Sequence, residues 1–345
     1  MKKRSTITAL SELGEFRLIE RLTGDLKLRQ ASSIKGIGDD AAVLDYGNEM
    51  IVLTTDMLVE GIHFNLVYTP LRHLGYKAVV VNLSDIYAMN ALPGQIMVSI
   101  AVSGKFSVEA LDELYSGIRH ACGKYEVDLV GGDTTSSMSG LIISVTAVGT
   151  VHKDRIVYRN TAGVNDLICV SGDLGAAYIG LQLLEREKKI FETGSGIQPE
   201  LTGWEYVLER QLKPEARRDI ISDLDRSDIL PTAMIDLSDG LSSDLLHICR
   251  QSDRGCRIYQ EKIPIDRETA RLAGEMNIEP FVCALNGGED YELLFTVPLA
   301  DHDKLAGIKD IHIIGHMTPP EEGTKFITSE GNQIVLQAHG WDALR

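Results

Sequence analysis

Aspartate recurs in this chain beside glycine, threonine or serine, in short motifs spread over most of its length. Carboxylate and hydroxyl oxygens are the hard ligands that Mg²⁺ takes, and glycines let backbone N–H groups approach a phosphate. The motifs therefore predict a chemistry of phosphates and divalent cations. They are GIGDDA at 36–41, TTD at 54–56 with His63 downstream, Asp85, GGDTT at 131–135, IDLSDG at 235–240 and GGEDYE at 287–292.

Asp85 stands out because of the helix on which it is predicted to lie. Positions 71, 74, 78, 81, 85 and 88 share one face of a helix that Pro70 opens, and all of them except Asp85 are apolar. A carboxylate on an apolar stripe is costly unless it is paired or binds a metal. A kink in the helix or a salt bridge to an arginine elsewhere is the structural alternative, and ligand binding is the favoured interpretation.

Two motifs follow predicted strands. GGDTT follows a strand over 127–130, where glycines admit a phosphate and Asp133 could hold a cation, although a tight hairpin uses similar residues. IDLSDG joins a strand to a helix with Ser238 as its N-cap, so Asp236 and Asp239 bracket a helix N-terminus, where anions and their metals bind. Capping alone explains one of these aspartates but not both.

The remaining motifs have plain alternatives. TTD is predicted to end a strand, but Asp56 could cap a turn and His63 could be an ordinary loop residue. GGEDYE places Glu289 at the mouth of a strand or in an acidic hairpin turn. GIGDDA matches G-x-G-x-x-A, yet residues 41–44 continue as a strand, so a dinucleotide site is rejected. The chain has no G-x-x-x-x-G-K-[ST], kinase catalytic-loop or H-E-x-x-H motif.

The elements that must position these motifs are a mixture of strands and helices. In the first half the patterns predict a helix to about residue 25, strands at 41–44 and 50–55 around a Gly47-Asn48 turn, a helix from Pro70 to about 91, a strand at 96–102, a helix that Ser107 caps to about 125, and strands at 127–130 and 141–150. In the second half they predict strands at 167–170, 234–236, 291–297 and 312–317, and helices near 173–188, 203–224 and 238–252.

Composition indicates a globular protein large enough for two domains. The chain has 345 residues, of which 44% are hydrophobic and 24% charged, and no apolar run is long enough to cross a bilayer. Polar residues follow the N-terminal basic cluster, so a secretory signal is not expected. A net charge of −16 disfavours nucleic acid and anionic membranes as partners. Five dispersed cysteines without a C-x-x-C pair indicate reduced thiols in the cytoplasm.

Taken in order, the motifs resemble those of the thiamine-monophosphate kinase family, which shares a superfamily with aminoimidazole ribonucleotide synthetase, selenophosphate synthetase and a hydrogenase-maturation protein. The resemblance covers nearly the whole chain. It is carried by GEFRLIERL from Gly14, GIGDDAAVL from Gly36, TTDMLVEGIHF from Thr54, GYKAVVVNLSDIYAMNALP from Gly75, VGGDTT from Val130, IDLSDGLSSDLLHI from Ile235, GGEDYELLFTV from Gly287 and GWDAL from Gly340.

The resemblance implies a two-domain α/β (α+β) fold of the aminoimidazole ribonucleotide synthetase type. Residues 1–151 would bind ATP and Mg²⁺ and pair in a homodimer, and residues 152–345 would complete the nucleotide and substrate site. It implies a cytoplasmic enzyme that uses ATP and several Mg²⁺ ions to convert thiamine monophosphate to thiamine diphosphate.

The resemblance also implies a role for individual residues. Mg²⁺ would be bound by Asp40, Thr54, Thr55, Asp56, Asp85, Asp133, Asp236 and Asp239. ATP would be contacted by Gly132, Asp133, Arg159, Ser238 and Tyr115. Thiamine phosphate would be faced by His63, Glu289 and Trp341.

The implied reaction agrees with elementary chemistry. A phosphate monoester has a second pKa of about 6, so the acceptor oxygen is already ionised at neutral pH and no general base is needed. The task is to bring two anions together, which positioning and cations accomplish. An indole face attracts a permanent cation such as thiazolium, which gives Trp341 a physical reason to be there.

Two other interpretations remain open from the sequence. The first is another ATP-using member of the superfamily. A selenophosphate synthetase carries a reactive Cys or selenocysteine in its N-terminal loop, where residues 25–40 have none, and the hydrogenase-maturation relative ends in cysteine, whereas this chain ends in GWDALR. The second is a non-catalytic nucleotide or cation sensor, which is expected to have lost some of the metal-binding aspartates that are all present here.

Overall fold

The computed structural model describes residues 30–36, 38–193 and 199–338. The predicted N-terminal helix and Trp341 lie outside these residues. Two β-sheets with helices packed against them make up the described part of the chain.

The first sheet has six strands. They are β1 (Ser33–Lys35), β2 (Ala42–Asp45), β3 (Glu49–Val59), β4 (Leu92–Val102), β5 (Asp128–Ser136) and β6 (Leu141–His152). Their order in the sheet is β1-β2-β3-β6-β4-β5, and all neighbours are antiparallel except β4 and β5. Gly47, with a φ of +123°, turns the chain between β2 and β3 as the Gly-Asn pair predicts.

The two faces of this sheet differ in exposure. In β6 Leu141, Ile143 and Val145 are buried, while the residues between them are half-exposed. This period of two identifies one core face. The other face carries Met57 and Met97, which are 56% and 42% exposed. We call it the outer face of the first sheet.

Helix α1 (Leu71–Ala88) covers the core face, and helix α2 (Val108–Tyr125) packs against α1. The two helices approach closely because each has a glycine at the contact: a Cβ atom at Gly75 would lie 2.0 Å from the Leu114 carbonyl oxygen, and one at Gly117 would lie 1.9 Å from that of Arg72. Residues 74–84 are all buried, so the buried part of α1 extends well beyond the predicted apolar stripe and includes polar side chains.

The second sheet has seven strands. They are β7 (Leu167–Ser171), β8 (Ala233–Asp236), β9 (Gly255–Tyr259), β10 (Leu293–Val297), β11 (Ile311–Thr318), β12 (Thr324–Ile327) and β13 (Gln333–Val335), in the order β13-β12-β9-β11-β7-β10-β8. Its helices are α3 (Ala176–Glu192), α4 (Glu205–Leu212), α5 (Arg218–Arg226), α6 (Leu241–Ser252), α7 (Arg267–Glu275), α8 (Pro280–Asn286) and α9 (His302–Leu305).

The two sheets meet at α1. This helix packs against β8, and one hydrophobic core includes Leu83 from the first half together with Met234 and Phe295 from the second. The carboxylate of Glu215 also accepts hydrogen bonds from the first half. Its donors are Tyr76 Oη at 2.7 Å, Tyr125 Oη at 2.6 Å and Lys124 Nζ at 2.5 Å.

Three predicted boundaries are wrong. TTD at 54–56 lies inside β3 and does not end it. GGDTT at 131–135 lies inside β5 because this stretch pairs with β4 along its length. The helix predicted over 203–224 is two helices, α4 and α5, since Pro214 in the connection cannot continue a helix.

The first sheet ends at His152 and the second begins at Leu167. The predicted division of the chain at residue 151 stays a prediction. None of the described helices combines the length and the apolar character needed to cross a bilayer.

Candidate active site

Three predicted metal ligands come together where the two halves meet. Asp40, Asp85 and Asp236 each offer a carboxylate oxygen, and these oxygens lie within 4.8 Å of one another. Asp40 precedes β2, Asp85 is in the last turn of α1, and Asp236 is the last residue of β8. We call these three residues the aspartate cluster.

The aspartate cluster brings three carboxyl groups together in a largely buried place. Burial, and next the charge of Asp40, raises the pKa of Asp236 to about 8. Burial raises the pKa of Asp85 well above its ordinary value, and the charges of Asp56, Asp236 and Asp40 raise it further. A bound cation would relieve both the repulsion and the loss of hydration.

Two neighbours hold the cluster in place. Arg159 donates two hydrogen bonds to Asp40, from Nε at 2.7 Å and from a terminal nitrogen at 2.5 Å. Thr54 Oγ1 donates to Asp85 Oδ2 at 2.5 Å. Arg159 therefore pairs with one of the three carboxyl groups, and the cluster as a whole can accept a divalent cation.

The TTD side chains of β3 lie on both faces of the first sheet, because side chains alternate along a strand. Thr54 bonds to Asp85, and Asp56, two residues on, shares its face. Burial raises the pKa of Asp56 to about 6, and its backbone N–H donates to Asn82 Oδ1 at 3.0 Å. Thr55 points the other way: its Oγ1 donates to the Val145 carbonyl oxygen at 3.0 Å and accepts from Thr146 Oγ1 at 3.1 Å.

The motifs IDLSDG and GGEDYE lie against each other as interlocked loops. The backbone N–H groups of Glu289 and Tyr291 donate to the carbonyl oxygens of Ser238 and Leu237, at 2.8 and 2.9 Å. A Cβ atom at Gly288 would lie 2.2 Å from the Ser238 oxygen. Glycine is thus required for this backbone contact, which sets Glu289 beside the end of β8.

The start of helix α6 corrects one prediction. The helix begins at Leu241, so Ser238 is not its N-cap. The N-cap position is Gly240, and the buried Asp244 in the first turn braces the chain just before the helix, because its Oδ2 accepts the N–H groups of Asp239 at 3.2 Å and Gly240 at 3.1 Å. Sequence reasoning missed Asp244, although an acidic residue in the first turn of a predicted helix is a recognisable signal.

Glu289 has a left-handed backbone, with a φ of 67°, and its carboxylate is held at both oxygens. Lys77 Nζ lies 3.0 Å from Oε1, and Gln211 Nε2 donates to Oε2 at 2.7 Å. Neither Lys77 nor Gln211 was predicted, because they come from α1 and α4 and no local pattern links them to GGEDYE.

Asp290, next to Glu289, has a structural task. Its carboxylate accepts the N–H groups of Gly175 at 2.7 Å and Ala177 at 3.3 Å, at the start of α3. Burial raises its pKa to about 7. It fixes the GGEDYE loop to a helix N-terminus, where a carboxylate is favoured.

Known proteins resemble this chain in sequence and in fold. A family model described as AIR synthase related protein, N-terminal domain, matches residues 38–151. The thiamine-monophosphate kinase of Aquifex aeolicus (strain VF5) is 36% identical over 289 residues, covering 84% of this chain and 87% of that protein. The thiamine-monophosphate kinase of Buchnera aphidicola subsp. Acyrthosiphon pisum (strain APS) is 35% identical over 334 residues, covering 95% and 98%. The chain belongs to the thiamine-monophosphate kinase family.

A solved structure of this family supports the fold assignment. The structure described as AaThiL complexed with AMPPCP and TMP has a TM-score of 0.83 and 32% identity to this chain, covering 98% of this chain and 99% of that one. The predicted family and the predicted α/β fold of the aminoimidazole ribonucleotide synthetase type are confirmed, and the dimer stays a prediction. These matches favour a thiamine-monophosphate kinase over the two alternatives, which were another ATP-using member of the superfamily and a non-catalytic sensor.

The contacts of the other residues predicted for a thiamine-monophosphate kinase site are local ones. His63 Nδ1 accepts the Val59 N–H at 3.1 Å. Tyr115 is half-buried on α2 and packs against the hydrophobic core that includes Leu83. Gly132 and Asp133 lie on the exposed edge strand β5, and Asp133 pairs with Ser99 of β4. Trp341 lies outside the described residues, and its role stays a prediction.

Proposed function

We propose that the protein transfers the γ-phosphoryl group of ATP to thiamine monophosphate, giving ADP and thiamine diphosphate, with Mg²⁺ held at the aspartate cluster. Membership in the family makes the chain a thiamine-phosphate kinase. The observation that carries the assignment to this cleft is the convergence of Asp40, Asp85 and Asp236 from three elements. The relative described with AMPPCP and TMP, an ATP analogue and a phosphate ester, supports the same pair of ligands.

The residues of the aspartate cluster fit Mg²⁺ by their chemistry. They offer only carboxylate oxygens, which Mg²⁺ prefers, and burial and mutual repulsion raise the pKa of Asp85 and Asp236. When bound, Mg²⁺ would supply positive charge to the phosphate oxygens as the phosphoryl group moves. We assign Thr54, Asp56 and Asp239 as further ligands or supports of the ions, since all three lie on segments that meet at the cluster.

The chain's own residues position the reactants. We assign Arg159 and Ser238 to ATP contacts, because Arg159 is bonded to Asp40 and Ser238 lies two residues beyond Asp236. His63, Glu289 and Trp341 are assigned to thiamine phosphate. The acceptor oxygen is already ionised at neutral pH, so none of these residues needs to act as a general base.

Thr55 and Asp133, with Gly132 beside it, enter the proposal through a homodimer, whereas the ATP contact of Tyr115, which lies on α2 against the core, stays a prediction. Thr55 and Asp133 share the outer face of the first sheet, on β3 and β5, which are three strand spacings apart. Each spacing is about 4.8 Å, so one ion does not bridge them within one chain. A second copy placed on this face would bring such residues to the nucleotide from the other side.

The division into an N-terminal domain (1–151) and a C-terminal domain (152–345) is part of the proposal and is supported by the two separate sheets. A cytoplasmic location is supported by the five free cysteines, four of which are buried.

The decisive measurement is ADP release from ATP and Mg²⁺ with thiamine monophosphate, compared with free thiamine. We expect turnover with the monophosphate, formation of thiamine diphosphate in equal amount, and loss of turnover when EDTA removes the metal. Equal activity with free thiamine contradicts a phosphate acceptor, and undiminished activity in EDTA contradicts the metal assignment.

A further inference from the structure

Lys77 is a buried lysine in the middle of the apolar part of α1. Its side chain is only 5% exposed. A lysine is rarely buried in this way unless its charge is paired, because its hydration is lost. Here the pairing partners lie in the other half of the chain.

The Nζ atom of Lys77 has two partners. It donates to the Gln211 carbonyl oxygen at 2.9 Å, and it lies 3.0 Å from Glu289 Oε1. The Gln211 side chain completes the group, because its Nε2 donates to Glu289 Oε2 at 2.7 Å. We call Lys77, Gln211 and Glu289 the carboxylate clamp.

The carboxylate clamp shares α1 with the aspartate cluster. Asp85 lies eight residues after Lys77, which is about 12 Å along a helix at 1.5 Å per residue. One rigid element therefore carries both a member of the aspartate cluster and the residue that holds Glu289. Any tilt or shift of α1 moves both together.

We propose that Lys77 is a positioning residue that fixes the Glu289 carboxylate for thiamine monophosphate, at a set distance from the metal-binding end of α1. This inference rests on the proposed function, in which Glu289 faces the substrate. Lys77 acts through Glu289 and does not itself touch the reacting atoms. It belongs to acceptor binding, and ATP binding does not depend on it.

The simpler alternative is an ion pair that only joins the two halves of the chain. The structure offers a control for it, since Lys124 of α2 pairs with Glu215 across the same junction at 2.5 Å, in a more exposed place. If joining the halves were the whole task, loss of either lysine would lower stability and leave the Michaelis constants alone.

The test compares Lys77→Met, Glu289→Gln, their double mutant and Lys124→Met, with KM for thiamine monophosphate, KM for ATP, kcat and thermal midpoint measured for each. We expect Lys77→Met and Glu289→Gln each to raise KM for thiamine monophosphate about tenfold, as loss of a charged hydrogen bond does. KM for ATP and kcat should change less than about threefold in Lys77→Met. The double mutant should be no worse than Glu289→Gln alone, because the two residues act as one unit.

Each outcome decides. An unchanged KM in Lys77→Met beside a raised KM in Glu289→Gln overturns the inference and leaves the assignment of Glu289 intact. The inference is also overturned if the KM increases of the two single mutants multiply in the double mutant. The same holds if Lys124→Met raises KM for thiamine monophosphate by the same factor. An unchanged KM in Glu289→Gln contradicts both the assignment of Glu289 to the substrate and the positioning role of Lys77. It does not affect the proposed kinase activity, which is measured on the wild type. If Lys77→Met does not fold, Gln211→Leu removes the other donor to Glu289, and an unchanged KM there overturns the inference as well.

Discussion

Asp236 illustrates the cost of building a cation site from buried carboxylates. Its side chain is 3% exposed, and burial together with the charge of Asp40 raises its pKa to about 8. The folded protein thus holds a proton there that the unfolded chain has released above pH about 4. A carboxylate in this state is stabilised by a bound cation and otherwise works against folding.

This predicts that Asp236→Asn stabilises the metal-free protein at alkaline pH while destroying activity. Because the folded pKa is raised, the stability contributed by Asp236 is complete below pH about 4 and is lost as pH rises through about 8. Without Mg²⁺, we expect the thermal midpoint of Asp236→Asn to exceed that of the wild type by roughly 2 °C or more at pH 8.5, and by less at pH 5. The fall in kcat/KM should be at least about a hundredfold.

The measurement is a thermal scan of both proteins at pH 5 and 8.5, with EDTA and then with excess Mg²⁺. Added Mg²⁺ should raise the midpoint of the wild type more than that of the variant, because ligands of the folded state stabilise it. A variant that is less stable than the wild type at both pH values would show that Asp236 is a structural residue.

At the level of elements, the site depends on two loops that touch through their backbones. Gly288 admits the Ser238 carbonyl oxygen, where a Cβ atom would lie 2.2 Å away. Neither atom is the end of a flexible side chain, so the loops themselves must move apart to make room. Such a movement displaces Glu289 relative to Asp236.

We therefore expect Gly288→Ala to lower kcat/KM for thiamine monophosphate at least tenfold and to cost about 1–3 kcal/mol of stability through overpacking. Gly274→Ala is the matched control, because Gly274 lies in helix α7 and a Cβ atom there meets nothing within 4 Å. That change should leave activity intact and stabilise the protein slightly, since alanine favours a helix. Steady-state kinetics and thermal scans of the two variants test whether the contact between the two loops positions the site. Full activity in Gly288→Ala would contradict it.

The elements differ in how far the sequence could predict them. The predictions of the turn at Gly47 and of the N-cap at Ser107 are confirmed, because short-range residue preferences determine both features. GGDTT was predicted to follow a strand that ends at Val130, whereas pairing with β4 keeps the motif extended within β5. Local rules predicted Ser238 as the N-cap of α6, whereas the N-cap is Gly240 and the Asp244 carboxylate accepts the N–H groups of Asp239 and Gly240.

The residues of the candidate site also differ in how far the sequence could predict them. Asp85 and Asp236 could be singled out from their places on a helix and at a strand end, and the structure brings them together. Lys77 and Gln211 could not be found, because their partner Glu289 lies more than seventy residues away in the chain. Contacts of that kind depend on how the two halves pack, which no local pattern records.

At the level of the whole molecule, α1 is the element on which both halves depend. Its sides contact the first sheet, helix α2 and strand β8, and it carries residues of both the aspartate cluster and the carboxylate clamp. The outer face of the first sheet, on the other side from α1, has no such cover in the described part of the chain. Exposed Met57, Met97 and Val130 lie on that side or at its edge strand.

We predict that two copies of the chain pair through this face and that the activity requires the resulting dimer. We expect Met97→Glu to convert a dimer into a monomer, because a charge would be buried at the centre of the interface, and to reduce kcat/KM at least tenfold while the thermal transition remains cooperative. Val108→Glu is the control, since Val108 is 72% exposed at the start of α2, away from this sheet face. Sedimentation equilibrium and kinetics on the same samples give the answer. A wild type that sediments as a monomer at assay concentration refutes the dimer, and a fully active Met97→Glu monomer shows that Asp133 serves its own chain or no site at all.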